Sequence, residues 1–119
     1  FDKYGLMAGQ IARCGGEMRY WGLTDMIFEQ QSDWIAGGDG TKIEANLRKL
    51  GKVAGLTDAM IDTCLADEAM AMSMVQAFQT HMDADKIEGT PSMVIDGELF
   101  SNMSYEDLKK ILDDKLAAN

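Results

Sequence analysis

A single proline, a single histidine and two cysteines are all this chain holds of the residues that mark tight turns, metal sites and redox centres. Cys14 and Cys64 stand far apart, so the sequence contains no Cys-x-x-Cys. With only His81 to join them they do not make up a zinc ligand set, and no metal site is expected. Basic residues are also scarce: 11 Lys and Arg stand against 20 Asp and Glu, for a net charge of −9. Such a chain repels phosphate backbones, which argues against a nucleic-acid partner. No apolar run approaches the roughly 18 residues of a membrane helix. No basic and apolar leader segment is visible either. The chain begins with Phe1 and not with Met, so we expect a processed, trimmed or partial product.

What is present is apolar mass, 46% of 119 residues, enough for one core. Its spacing is helical over the first two thirds. Met7, Ile11 and Cys14 share one face, and Gly15-Gly16 ends that helix. A second helix is predicted over about 17–30, with Tyr20, Leu23 and Ile27 facing inward and Trp34 just beyond. After the loop 36–41, Thr41-x-x-Glu44 has the form of a capping box, followed by the face Ile43, Leu47, Leu50 and Ala54. Thr57 caps a short helix carrying Met60, Ile61, Cys64 and Leu65. A longer helix over about 67–83 carries Ala71, Met74, Val75, Phe78 and Met82 as one stripe. Its methionines have the spacing of a packed face and not of a copper site.

The pattern changes at Gly89. Ser92–Ile95 is a short β-prone run, Asp96-Gly97 is a hairpin signal, and Glu98–Phe100 returns. Ser104 then caps an amphipathic helix with Leu108, Ile111, Leu112 and Leu116. A lone hairpin is marginal in water, and Met93-Val94-Ile95 is apolar on both faces. We therefore expect sheet partners from outside these elements. The lone proline, Pro91, stands where a strand begins, the position that tolerates a residue without an N–H. From local sequence the ordinary trans isomer is the default, while a cis bond would turn the chain and leave Thr90's backbone groups pointing outward.

The order Gly89-Thr90-Pro91, apolar strand, Asp-Gly turn, second strand and amphipathic helix resembles the end of DsbA-type thiol:disulfide oxidoreductases of the thioredoxin superfamily. The upstream helical block resembles the helical insertion of that family. The resemblance implies a truncated α/β thioredoxin-like fold: residues 1–86 as helical insertion domain, and residues 87–119 as the C-terminal part of the thioredoxin-like domain. It implies a cis Pro91 and a substrate-binding role for Thr90 and Pro91, whose loop lies beside the redox Cys-x-x-Cys in the family. That motif is absent here, and Phe1 would follow directly on a core strand, so no residue of this chain is expected to be catalytic. Cys14 falls at the C-terminal end of its helix, where the dipole disfavours a thiolate, and Cys64 lies on an apolar stripe.

From the residues alone, Cys14 and Cys64 are either two buried thiols or one long-range bridge. The oxidising periplasm that the resemblance implies favours a structural disulfide. It further implies no cofactor, reduced or unfolded exported proteins as partners, and a membrane redox partner for the intact enzyme. The sheet would be completed by an N-terminal segment or by a second copy in a homodimer. Two other readings stand beside it. One is a glutathione-transferase-like isomerase of the same superfold, the other a non-enzymatic helical module that recruits a protein partner.

Overall fold

The computed structural model describes residues 2–119, and Phe1, expected to follow a core strand, lies outside them. The chain is mostly helical, with one small two-stranded sheet. It divides into two units, one ending at Gln76 and the other spanning Ala77–Asn119.

The first unit is built on helix α1, Lys3–Cys14. Asp2 starts it by accepting hydrogen bonds from the Tyr4 and Gly5 amides, and Gly15 ends it. Helix α2, Glu17–Glu29, follows after Gly16, whose φ of 72° makes the sharp reversal that a side chain would oppose. One further turn, α3 (Gln31–Trp34), brings Trp34 into the core, where its indole N–H donates to the Ile27 carbonyl at 2.7 Å. Helices α4 (Gly40–Val53) and α5 (Asp58–Leu65) complete the bundle, with α1 packed against α2, α4 and α5. Ile11, Leu23, Ile43, Leu47 and Ile61 are fully buried between them. Each such side chain contributes roughly 1.5–3 kcal/mol by leaving water. Gly51 on α4 permits the close packing, since a Cβ there would meet Ile61 at 3.1 Å and Leu56 at 3.3 Å. Arg48 ties α4 to α5, meeting Glu44 at 2.9 Å and Asp62 at 2.7 Å. Donating to the Glu44 carboxylate, then to that of Asp62, raises its already high pKa and keeps it charged.

The expected capping box at Thr41 and Glu44 does not form. Asp39, two residues upstream, is the cap and accepts from the Thr41 amide at 2.8 Å, so the helix already includes Thr41. Glu44 is engaged by Arg48 instead. Asp39→Ala is predicted to cost about 1 kcal/mol, the usual loss for a side-chain cap, read as a lower denaturation midpoint. Thr41→Ala should cost less than Asp39→Ala, the reverse of what the capping-box reading requires.

Helix α6, Glu68–Asp85, carries the chain from the first unit into the second. None of its residues is buried. Ala71, Met74, Val75, Phe78 and Met82 are half-covered, so the stripe is apolar as expected but less enclosed than a packed face. In the second unit, strands β1 (Ser92–Ile95) and β2 (Glu98–Ser101) pair antiparallel across Asp96 and Gly97. Both turn residues have positive φ, 50° and 79°, the requirement of a two-residue type I′ hairpin. Helix α7, Tyr105–Ala118, starts at Ser104, whose hydroxyl accepts from the Asp107 amide at 3.2 Å.

Candidate functional site: the Thr90–Pro91 loop and the open face of the hairpin

The site is set by the hairpin register. Met93 faces Phe100 and Ile95 faces Glu98, so these four side chains share one side of the ribbon. That side is met by α7: Lys115 reaches Glu98 at 3.2 Å and lies 5.8 Å from the centre of the Phe100 ring. The opposite side carries Ser92, Val94, Leu99 and Ser101, with Val94 50% and Leu99 41% exposed.

The backbone alternates in the same way. The two-residue turn makes Ile95–Glu98 a hydrogen-bonded pair, and Met93–Phe100 is the next. The N–H and C=O of Ser92 and Val94 therefore point away from β2. Among the described residues β1 has β2 as its one strand partner, so this outer edge is free to pair with another strand.

Thr90 and Pro91 sit at the head of this edge. The Thr90–Pro91 peptide bond is cis, and both residues are exposed. The Ser92 hydroxyl donates to the Gly89 carbonyl across the turn. Around the loop is a shallow pocket of about 240 Å³, lined by Lys86, Glu88, Thr90, Pro91, Leu99 and Asn102 among others. Its lining is mixed, with Pro91 and Leu99 apolar, Lys86 and Glu88 of opposite charge, and hydroxyl and amide groups from Thr90, Ser92 and Asn102. Such a surface suits an extended peptide better than a compact small molecule. Leu99 and Asn102 were not singled out from sequence. Counting outward from Asp96-Gly97 would have found them, because that turn sets Ser101 opposite Ser92 and carries Asn102 to the loop.

The cysteines lie in the first unit. Cys14, in the last turn of α1, and Cys64, on α5, are joined in a disulfide. Both are half-buried, Cys14 against the core, and Gln10, itself buried, donates to the Cys64 carbonyl at 3.3 Å. The bridge uses both cysteines of the sequence. Among the described residues no group of three His, Cys, Asp or Glu side chains is placed to hold a metal.

Comparison with known proteins gives this geometry its family. The chain is 28% identical over 112 residues to a protein of Rickettsia bellii, an alignment covering 93% of the chain and 42% of that relative. A Rickettsia prowazekii protein is 25% identical over 115 residues, covering 96% of the chain and 41% of the relative. Both carry the name "Putative protein-disulfide oxidoreductase". The chain thus spans about two fifths of the length of these curated relatives. No solved structure matches it significantly. The family profile described as thioredoxin matches residues 1–114, nearly the whole sequence, and the chain belongs to that family.

Proposed function

We propose that this chain is the helical and C-terminal part of a DsbA-type thiol:disulfide oxidoreductase, and that Thr90 and Pro91 form its substrate-facing loop. The observation that carries the reading is the Gly89-Thr90-Pro91 loop, opening on a pocket at the head of a free strand edge. The thioredoxin family membership and the names of the relatives support the same chemistry. In this reading an extended segment of a reduced protein lies along the loop and pairs with Thr90's backbone. In this reading the redox Cys-x-x-Cys belongs to sequence outside these 119 residues, which hold two cysteines 50 residues apart and no such motif.

The exchange runs in two steps. A substrate thiolate attacks one sulfur of the Cys-x-x-Cys disulfide and forms a mixed disulfide. A second substrate thiolate attacks the substrate sulfur of that bond and releases the enzyme dithiol. Substrate loses two electrons and two protons, and the enzyme pair gains both. A membrane redox partner then reoxidises the dithiol. Exported proteins in the periplasm are the proposed substrates, a setting in which the Cys14–Cys64 bridge persists. The free edge of β1 is completed by the remainder of the protein, and a second copy is the other candidate for that place.

The test uses the intact gene product and a reduced peptide with two cysteines, with disulfide formation followed by mass. The intact protein should oxidise the peptide stoichiometrically, and residues 1–119 alone should not. Replacing Thr90 and Pro91 by alanine should slow the reaction by about tenfold or more, as loss of substrate positioning does. An intact protein that oxidises no thiol, or a double variant with unchanged rate, overturns the reading.

A further inference from the structure

Helix α2 is apolar on two sides, and among the described residues only one of them is covered. Leu23 and Ile27 fill the core. On the far side Met18, Trp21 and Phe28 are 96%, 71% and 73% exposed. Their spacing places them along one strip of the helix, about 15 Å from first to last. Asp25 falls within the strip and Gly22 borders it beside Met18, with nothing within 4 Å of where the Gly22 Cβ would be, so a partner can approach closely. Phe28 also forms the rim of a groove of about 290 Å³ between α1 and α2, walled by Ala8, Ala12, Ile27 and Trp34. A strip of large exposed apolar side chains beside a groove that accepts one more is the form of a protein-binding surface.

The charges around the strip indicate what covers it. Glu17, Asp25 and Glu29 are exposed on the same helix, and none makes an ion pair among the described residues. The one cation of α2, Arg19, is held by the Ala54 carbonyl at 3.1 Å. A second copy pairing antiparallel would set Glu17 near Glu29 and meet like charge. An anionic membrane would be repelled by a chain of net charge −9. A segment with lysine or arginine flanking an apolar face satisfies both the strip and its acids. We infer that the outer face of α2, centred on Trp21 and Phe28, is a docking surface for a basic amphipathic helix of a protein partner, with the groove beside Phe28 taking one apolar anchor. The inference rests on α2 and the groove beside it and is independent of the redox reading, so either fails without the other.

The experiment compares a helical peptide of about five turns, leucine and lysine at amphipathic spacing, with the same peptide carrying glutamate for lysine. Binding is measured by fluorescence anisotropy on the 119-residue chain. The lysine peptide should bind and the glutamate peptide should not. Trp21→Ala and Phe28→Ala should each weaken binding by about tenfold, the loss expected of an aromatic anchor. Asp25→Lys with Glu29→Lys should weaken it further. Glu106→Lys with Asp107→Lys on α7 should leave it unchanged. All these residues are exposed, and circular dichroism checks that the variants fold. Equal loss from the α7 and α2 charge reversals would reduce the attraction to net charge and overturn the site. So would a concentration-dependent dimer that Trp21→Ala dissolves, which makes a second copy the occupant. Shielding of Trp21 from acrylamide in the intact gene product would make the protein's own chain the occupant, with the same consequence.

Discussion

Replacing Cys14 and Cys64 by alanine should lower the stability of the helical unit by about 4 kcal/mol. The bridge closes a loop with a sequence separation of 50 between the end of α1 and α5. Most of its effect falls on the unfolded chain, whose freedom it removes. A loop of that length corresponds to about 4 kcal/mol in the chain-entropy account. Since small domains hold roughly 5–15 kcal/mol in total, this is a large share. Both side chains are only half-buried, so little packing is lost with the sulfurs. The check is urea denaturation of the oxidised chain, the reduced chain and the double variant. The reduced chain and the variant should unfold at similar, much lower urea concentrations. An oxidised chain with the same midpoint as the variant would show that the bridge constrains nothing the fold does not already fix.

The second large effect is expected at Leu47. It lies at 0% exposure in the middle of α4, the helix that packs against α1, α2, α3 and α5. Leu47→Ala removes three carbons and leaves a cavity among residues that are themselves fully buried, Ile11, Leu23 and Ile61 among them. A loss of about 2–5 kcal/mol is expected, at the upper end if the helices cannot close on the gap. Val53→Ala, on the same helix but 75% exposed, should change little. Denaturation midpoints of the two variants give the comparison. A Leu47 variant no worse than the Val53 variant would mean that the core is not where these burials put it.

Most of this architecture was legible because its signals are local. Gly15-Gly16, Thr57, Asp96-Gly97 and Ser104 each act within one turn of chain, and each sits at the boundary it announces. Where two local signals overlap, the reading of Thr41-x-x-Glu44 as the cap misses the one that forms: Asp39 caps the helix, and Glu44, which the box would need, pairs with Arg48. Periodicity has a different limit. It identified the apolar stripe of α6 and the inward face of α2, but it does not tell how much partner surface each stripe meets. So α6 was expected to be packed and is only half-covered. The outer residues of α2, Met18, Trp21 and Phe28, lie off the face that Tyr20, Leu23 and Ile27 define, and periodicity assigns them no partner. The Thr90–Pro91 loop was found from a composition oddity, one proline before a strand. The pocket walls from β2 needed the register to bring them there.

The proposed role of Thr90 is tested most directly by amide hydrogen exchange in the intact gene product. A substrate peptide is trapped as a mixed disulfide on the redox cysteine, and exchange is compared with the peptide-free protein. If the substrate backbone pairs with the loop, the Thr90 amide should exchange markedly more slowly in the trapped complex, while amides of the buried α4 helix stay unchanged. Equal exchange at Thr90 in the two states, with the peptide demonstrably attached, would contradict the account.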